Sequence, residues 1–386
     1  MNKRKILGVT GIRSDYEIMS SVFRAIEKQP NLGLELIVTG AHLSHAYGYT
    51  IQDIKMDGFV IAEEVESLLN GNNNSSRVKG LAIQLQGMVQ TVTRVDPDFL
   101  LVLGDREESL TTSLIGAYMN IPVAHIAGGD RVVGNVDDQI RHAVTKLAHL
   151  HFTTNEESKR RILRLGEQPF RVFNVGNPGL DRLIALPELT SLELSERLGF
   201  EIKDDEPFIL LIQHVISTEV EFAYFQMKQT MEAIGKMGIK TIIVYPNSDA
   251  GAQDIIRAIR EYKDLPFLYT AKNIPRLEFV NIMRRAGCLI GNSSAGILEA
   301  PSLNLPVVNI GNRQQGRLHA ENVQFVAHDS DKICSAIKKA LFDLNYRDQV
   351  LNCSNPYGDG DSSDRIAEIL SSIPIDNKLL IKDITY

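Results

Sequence analysis

Short apolar runs alternate with longer amphipathic segments along almost the whole chain. Early examples are the apolar runs Ile6–Thr10 and Leu34–Thr39, with the amphipathic segment Tyr16–Glu27 between them. Near-continuous apolar runs of this length are typical of parallel strands buried on both faces, and parallel strands require crossover helices. The alternation therefore predicts βαβ units and an α/β fold.

The alternation runs through two cycles, which the glycine- and proline-rich stretch Gly176–Pro187 separates as a predicted linker. The polar stretch Asn70–Arg77 is predicted to be a loop. Further strands are predicted at Phe99–Leu103, Val123–Ile126, His151–Thr153, Arg171–Val175, Phe208–Ile212, Thr241–Tyr245, Phe267–Tyr269, Cys288–Ile290 and Val307–Ile310. Further helices are predicted at Val78–Val92, Asp137–His149, Val220–Lys236, Ala250–Tyr262, Arg276–Ala286, Asp331–Phe342 and, as the final helix, Ser363–Leu370.

A chain of 386 residues is expected to form two domains, because single cores stop growing beyond about 250–300 residues. We therefore predict two Rossmann-like, doubly wound domains. Their expected bounds are residues 1–176 and 177–362, with a C-terminal segment at residues 363–386. Ligands of such sheets bind beyond the carboxyl ends of the strands, so polar residues just after strands are the site candidates.

Composition narrows the class of protein. The net charge of −7 argues against broad nucleic-acid binding. Cys288, Cys334 and Cys353 fit neither a paired zinc spacing nor a secreted disulfide framework, which predicts a reducing cytoplasm. The apolar stretch behind the basic N-terminus ends at Gly11, so it is too short for a signal peptide or a membrane span. No nucleic-acid or membrane partner is expected.

The stretch Gly291–Glu299 follows an apolar strand with glycine, two serines and a helix start. This order presents free backbone N–H groups to an anion, and Ser293 or Ser294 can cap the helix or meet a phosphate oxygen. Glu299 lies about one turn into the helix, where its carboxylate can take two sugar hydroxyls. The alternative is an ordinary capped helix.

Carboxylates dominate the strand ends of the first cycle. Asp105 and Arg106 directly follow an apolar strand, and Asp130 follows a glycine turn. Asp137 and Arg141 share a helix face because they are four residues apart. If Asp105, Asp130 and Asp137 converge, they suit proton transfer, since like charges raise one another's pKa. A surface Asp–Arg pair and a plain helix salt bridge are the alternatives.

Other polar candidates lie at further strand ends. Arg13 could pair with a phosphate or simply face solvent. His42 and His45 follow the second strand, but no accompanying pattern supports zinc. The chain also lacks a dinucleotide fingerprint and a GxxxxGK[ST] loop. In the second cycle the candidates are His214, Asn247 and Asp249, and the pair Arg313 and Arg317, for which salt bridging is the alternative to a phosphate site.

Nine motifs taken together resemble the hydrolysing UDP-N-acetylglucosamine 2-epimerases of sialic and legionaminic acid synthesis. They run in order from Thr10 to Gly360: TGIRSDY (10–16), GDR (104–106), HIAGGD (125–130), DDQIRHAVTKLAHLHF (137–152), QH (213–214), PNSDAG (246–251), GNSSAGILEAPS (291–302), NIGNRQQGR (309–317) and PYGDG (356–360). The resemblance implies the glycosyltransferase-B arrangement of two domains, with the C-terminal helix returning to the first.

The resemblance also implies a reaction and assigns roles to residues. UDP leaves C1 as the C2 proton is removed, the resulting 2-acetamidoglucal takes up water, and the free 2-epimeric sugar (N-acetylmannosamine) departs with UDP. The resemblance implies no cofactor and no metal. It also implies a homodimer in the cytoplasm. The resemblance assigns catalytic roles to Asp105, Asp130, Asp137, Arg141 and His214. It assigns UDP contacts to Arg13, Arg106, His214, Asn247, Ser293, Ser294, Gly296, Glu299 and Arg313. It assigns sugar contacts to His42 and His45.

Three positions depart from the family pattern. Ala127 stands where non-hydrolysing relatives have Glu, Asp130 where hydrolysing relatives commonly have Glu, and Val215 where Pro usually follows the histidine. The departures leave the identity of the C2 base open. They also leave open a different substrate, UDP- or GDP-linked N,N′-diacetylbacillosamine. A glycosyltransferase on the same fold and a non-catalytic nucleotide-sugar sensor are the alternatives from other classes.

Overall fold

The computed structural model describes residues 3–69, 74–131, 136–216, 218–247 and 249–385. The chain divides into two units. Unit 1 comprises Met1–Arg182 and Tyr357–Tyr386, and unit 2 comprises Leu183–Pro356. Across the described residues, no helix combines the length and the apolar character that a membrane span requires.

Unit 1 contains a seven-stranded parallel sheet, as far as its described residues extend. Its strands are β1 (Arg4–Thr10), β2 (Leu32–Thr39), β3 (Ile61–Val65), β4 (Phe99–Leu103), β5 (Val123–Ile126), β6 (Leu150–Thr153) and β7 (Val172–Asn174). The helices before the second sheet are α1 (Arg13–Lys28), α2 (Ile51–Met56), α3 (Asn74–Val95), α4 (Glu107–Met119), α5 (Asp137–Leu147), α6 (Glu156–Arg164) and α7 (Pro178–Ala185).

Unit 2 repeats the design with a six-stranded parallel sheet, counted over its described residues. The strands are β8 (Ile209–Ile212), β9 (Thr241–Val244), β10 (Leu268–Ala271), β11 (Cys288–Gly291), β12 (Val307–Ile310) and β13 (Val323–Val326). The helices are α8 (Ser191–Leu198), α9 (Ala223–Met237), α10 (Ala252–Arg260), α11 (Arg276–Arg285), α12 (Ala295–Leu298), α13 (Ser330–Phe342) and α14 (Leu344–Leu351). The chain then returns to unit 1 with α15 (Ser362–Ser372) and α16 (Asn377–Leu380).

Alternate residues of each central strand face opposite sides of its sheet, so both faces carry a core. In β4, Phe99 and Leu101 belong to the apolar cluster that α1 and α15 complete, whereas Leu100 and Val102 belong to the cluster completed by α3, α4 and α5. The near-continuous apolar strands are explained by this burial on two faces. The predicted α/β fold with two doubly wound parallel sheets is confirmed.

Strand order brings particular loops together at the carboxyl edge of each sheet. The order is β3-β2-β1-β4-β5-β6-β7 in unit 1 and β10-β9-β8-β11-β12-β13 in unit 2. The order reverses between β1 and β4 and between β8 and β11, which creates a crevice at the carboxyl ends of these strands. The loops after β1, β4 and β5 therefore meet in unit 1, and those after β8, β11 and β12 meet in unit 2.

Three local predictions need correction. The predicted linker Gly176–Pro187 contains α7, since proline is tolerated in the first turn of a helix and Pro178 is its first residue. Of the predicted loop Asn70–Arg77, residues 74–77 belong to α3 and residues 70–73 lie outside the described residues. The predicted final helix is followed by α16, whose N-cap Asp376 accepts a hydrogen bond from the Leu379 N–H at 3.0 Å.

Candidate functional site

Two carboxylates of unit 1 converge on one buried arginine. Asp105 follows β4, Asp130 follows β5, and Arg141 projects from α5. The Arg141 guanidinium donates a hydrogen bond to Asp105 and lies 3.9 Å from Asp130 Oδ2, and its side chain is 9% exposed. A charge this buried requires such partners. The predicted helix residue Arg141 thus joins two loops of neighbouring strands.

Two hydroxyls hold Asp130 from its other side. Its Oδ1 accepts hydrogen bonds from Thr154 Oγ1 and Ser158 Oγ, both at 2.7 Å. The turn before it is tight, because Ala127 has a φ of 60°, an uncommon value for a residue with a Cβ. Asp130 is therefore oriented by three side chains, although it is one methylene shorter than the Glu expected in the family.

Asp137 occupies the first turn of α5, one turn before Arg141. The Asp137 carboxylate interacts electrostatically with a second arginine, Arg77 of α3. The pKa of Arg77 is raised chiefly by its hydrogen bond to Glu107, and Asp137 adds to that effect. The three predicted acids Asp105, Asp130 and Asp137 thus belong to one carboxyl edge of the unit 1 sheet.

A second acidic group beside β1 was not predicted from the sequence. Arg106 Nε lies 3.7 Å from Asp15 and 3.3 Å from Glu108, a residue only 6% exposed. A Cβ at Gly11 would lie 1.9 Å from Glu108 Oε1, so glycine is what lets this carboxylate pack against the loop after β1. Burial, with the charge of Glu108, raises the pKa of Asp15 to about 7. The only sequence signal was the acidic run Glu107-Glu108 after GDR.

The predicted nucleotide contact of Arg106 is not supported by these surroundings. Its guanidinium lies within 4 Å of Asp15, Glu107 and Glu108, and three carboxylates offset the charge that a phosphate would need. Arg13 is exposed and pairs with Glu17 at 3.0 Å, so its phosphate contact stays a prediction.

An open cavity of about 1120 Å³ in unit 1 is lined by Arg106, Glu107 and Glu108, and also by His45. The His45 ring stacks on Tyr49 with 4.3 Å between ring centroids, which leaves its sugar contact a prediction. The sugar contact of His42 also stays a prediction, although the surroundings of the ring do not favour it. Its ring is fully buried, and its two nitrogens bond the hydroxyls of Thr10 at 3.0 Å and Thr50 at 2.7 Å.

In unit 2, Asn292 connects its own strand-end loop to two others. Its side chain accepts from the His214 N–H at 2.7 Å and donates to the His214 carbonyl at 2.9 Å. Its own carbonyl accepts from Arg313 at 3.1 Å and from Gln314 at 2.9 Å. Asn292 connects the loops after β8, β11 and β12, a role its position in GNSSAG did not reveal.

The unit 2 loops form a positively charged edge. Burial and then the charge of Arg317 lower the pKa of Arg313, and burial and then Arg313 lower the pKa of His214. The Asn247 N–H donates to His214 Nδ1 at 3.4 Å. His214, Asn247 and Arg313 thus lie close together, and the two guanidinium groups of Arg313 and Arg317, whose charges interact, favour a bound anion. Ser248 of the same motif lies outside the described residues.

The strand–turn–helix of residues 288–299 forms, and of the two serines predicted as caps it is Ser293 that accepts a backbone hydrogen bond. Ser294 occupies the N-cap of α12 without a side-chain cap hydrogen bond, and instead Ser293 Oγ accepts from the Ala295 N–H at 3.3 Å. Glu299 pairs with Arg276 at 2.9 Å. The Ser294 hydroxyl is not used to cap α12.

We expect Gly291→Ala to destabilise unit 2 by about 2–4 kcal/mol. Gly291 has a φ of +115°, and an added Cβ would lie 2.1 Å from the Ile212 carbonyl oxygen, a backbone atom that cannot rotate away. Urea unfolding measures the change. The control is Gly235→Ala inside α9, whose Cβ would meet Tyr262 at an ordinary 3.7 Å. Equal midpoints for the two variants would contradict the strain argument.

No three His, Cys, Asp or Glu side chains in the described ranges are grouped closely enough to hold a metal ion. The residues that the two sheets do gather are carboxylates around Arg141 in unit 1, and Arg313 with polar groups around His214 in unit 2.

Comparison with known proteins places the chain in a family. A family model described as UDP-N-acetylglucosamine 2-epimerase matches residues 24–371. The chain is 37% identical over 383 residues to a UDP-N,N′-diacetylbacillosamine 2-epimerase (hydrolyzing) of Legionella pneumophila, covering 99% of this chain and 100% of that one. It is 31% identical to a GDP/UDP-N,N′-diacetylbacillosamine 2-epimerase (hydrolyzing) of Campylobacter jejuni, over 84% of each chain.

The fold agrees with a solved structure. The UDP-GlcNAc 2-epimerase of Neisseria meningitidis bound to UDP-GlcNAc superposes with a TM-score of 0.76 at 20% identity, covering 95% of this chain and 99% of that one. Sequence similarity over the full length and the shared fold lead to one conclusion: the chain belongs to the UDP-N-acetylglucosamine 2-epimerase family.

Proposed function

We propose that the chain is a hydrolysing 2-epimerase of a UDP-linked 2-acetamido sugar. The observation that carries this proposal is the pair Asp105 and Asp130 on Arg141, in a chain that is 37% identical along its whole length to a hydrolysing 2-epimerase. In classification terms the reaction would be a glycosyl hydrolysis of the EC 3.2.1 type.

The reaction has two steps. Removal of the C2 proton and departure of UDP from C1 give a 2-acetamidoglucal. Water then adds across the new double bond, with the hydroxyl at C1 and a proton delivered to C2 from the opposite face. The net change consumes one water and releases UDP and the free 2-epimeric sugar.

The unit 1 acids supply the proton transfers in this proposal. A carboxylate can remove the C2 proton and a carboxylic acid can return one, and positioned general acids and bases contribute typically 10²–10⁴-fold. Asp105, Asp130 and Asp137 are the candidates, with Arg141 holding the first two in place. The hydroxyls of Thr154 and Ser158 donate to Asp130 Oδ1 and orient this carboxylate.

Unit 2 holds the nucleotide. Arg313 supplies positive charge and hydrogen-bond donors for phosphate oxygens, and the neutral His214 ring can supply one further donor. Ser293, Ser294 and the backbone around Gly296 add neutral donors, and Asn247 joins the same loops. Glu299 takes the ribose hydroxyls, and its pairing with Arg276 holds the carboxylate in place. Arg13 of unit 1 is a further phosphate contact, and His45 a sugar contact.

The sugar is either N-acetylglucosamine or N,N′-diacetylbacillosamine. The family model carries the first name, and two relatives above 30% identity carry the second. The deciding experiment incubates the protein with each UDP-sugar in water and follows UDP and free sugar by NMR. Free 2-epimeric sugar with equimolar UDP supports the proposal, and the faster substrate identifies the sugar.

The other outcomes of that experiment favour other functions. UDP-N-acetylmannosamine without free UDP would mean a non-hydrolysing epimerase. Turnover only after an acceptor is added would mean a glycosyltransferase. UDP binding without turnover would mean a sensor. We also propose a cytoplasmic homodimer, for which light scattering on the eluting protein measures the mass.

We expect Arg313→Ala to weaken UDP binding by about 1–3 kcal/mol, or roughly 5- to 150-fold, because a charge-assisted hydrogen bond is lost. Isothermal titration with UDP measures the change. The control is Arg257→Ala on α10, whose side chain is 63% exposed and pairs with Asp254 at the surface. UDP affinity equal to that of the control would remove Arg313 from the site.

A further inference from the structure

The last residues of the chain are held on unit 1 by one buried arginine. Arg171 is fully buried, and its guanidinium donates hydrogen bonds to the carbonyls of Lys378 at 2.7 Å, Ile381 at 2.7 Å and Leu379. A buried guanidinium requires acceptors, and here three of them belong to one short segment. The path of residues 378–381 is therefore fixed by Arg171.

This anchoring delivers Lys382 to the C-terminal end of α5. The Lys382 ammonium donates to the carbonyls of Thr145 at 3.2 Å, Lys146 at 2.8 Å and Ala148. The last carbonyls of a helix have no partner within it, and a cation at that end also interacts favourably with the helix dipole. The cap of α5 thus comes from a residue more than 230 positions later in the sequence.

A buried carboxylate joins the tail and the helix a second time. Glu167 is 1% exposed; its Oε1 accepts from Lys146 of α5 at 2.6 Å, and its Oε2 lies 2.9 Å from Lys382 and 3.2 Å from His151 Nε2. One acidic group therefore bridges a lysine of α5 and the lysine of the tail. Removing either lysine would leave this carboxylate short of a partner, which is costly when it is buried.

The opposite end of α5 carries the acid–base group of the proposed site. Asp137 is in its first turn, and Arg141 holds Asp105 and approaches Asp130. The helix has 11 residues, a length of roughly 16 Å, over which an α-helix moves as a rigid rod. The position of the C-terminal end of α5 therefore determines the position of Arg141.

We propose that Lys382 is a positioning residue, which caps α5 from the C-terminal tail and thereby sets Arg141 against Asp105 and Asp130. The proposal rests on the proposed function for its effect on turnover. The contacts that it invokes, between the tail and α5, are independent of the substrate.

The test compares Lys382→Met with Lys378→Met in the full-length protein. Both remove one positive charge from the same tail, but the Lys378 side chain is exposed and lies over the Phe170 ring at 4.5 Å. In Lys382→Met we expect amide hydrogen exchange in residues 140–147 to be at least about tenfold faster than in the control, and kcat to fall about five- to tenfold. KM and the UDP dissociation constant should stay within about twofold.

Two results overturn the proposal. The first is exchange in α5 that matches the Lys378→Met control. The second is a lower melting temperature with unchanged kcat well below that temperature, which would make the cap merely structural. If Lys382→Met is insoluble, Glu167→Gln replaces it, because it removes the carboxylate that joins Lys382 to Lys146. If the wild type releases no UDP, the proposed function fails, and hydrogen exchange alone then decides the role of Lys382.

Discussion

Asp105→Asn is expected to slow release of free sugar by about 10²–10⁴-fold while leaving UDP affinity within about threefold. The amide keeps the shape of the side chain and can still accept a hydrogen bond from Arg141. It cannot gain or lose a proton at neutral pH, so a step that needs a general acid or base at this position stops. Steady-state kinetics and UDP titration on the same preparation measure the two effects.

The controls separate chemistry from stability. Arg141 is 9% exposed, so weakening its ion pair is expected to lower the free energy of unfolding as well, and unfolding must be measured beside turnover. Asp53→Asn removes an exposed carboxylate of α2 that is not a site candidate, and it should retain wild-type turnover. A large loss of UDP affinity in Asp105→Asn would contradict the acid–base role.

Unit 1 is expected to lose stability steeply between pH 6.5 and about pH 4. Four of its histidines are buried, and burial lowers the pKa of His42, His149 and His151 to about 4 and that of His125 to about 3, from an ordinary 6.5. Between these pH values the histidines bind protons in the unfolded chain but stay neutral in the native state. The free energy of unfolding therefore falls as the pH falls. Each such group contributes up to about 1.4 kcal/mol per pH unit.

Three carboxyls of unit 1 act in the opposite direction. Burial raises the pKa of Glu108 and of Asp181, and burial with the charge of Glu108 raises that of Asp15 to about 7, so the native state holds protons there that the unfolded chain releases. These carboxyls offset part of the histidine effect, so the net dependence is smaller than the four histidines alone would give.

Hydrogen exchange of β4–β6 in rising urea, at pH 7, 6 and 5, reports on unit 1 by itself. This readout is needed because a chain of two units need not unfold in one step. His149→Gln should make the dependence shallower by up to about 1.4 kcal/mol per pH unit. A slope in His149→Gln equal to that of the wild type would show that the His149 ring is protonated in the native state.

Much of the fold was predictable because strong local patterns coincide with deep burial. The strands Phe99–Leu103, Val123–Ile126 and Val307–Ile310 have the predicted bounds, since every residue in them is buried in the sheet. The errors occur where composition and contacts disagree. The Gly- and Pro-rich α7 was predicted to be a linker, and the start of α3 was predicted to be a loop. In both cases the local composition is typical of a loop, and the helix depends on tertiary packing that the local sequence does not show.

The sequence by itself determined the α/β class, the two parallel sheets and the family, because apolar periodicity and motif order are properties of the chain alone. Tertiary structure decided which side chains meet. It placed Arg141 between Asp105 and Asp130, buried His42 between two threonine hydroxyls, surrounded Arg106 with acids and brought Lys382 to the end of α5. The physical reason is that these contacts join residues distant along the chain, and only strand order and side-chain direction bring them within hydrogen-bond distance.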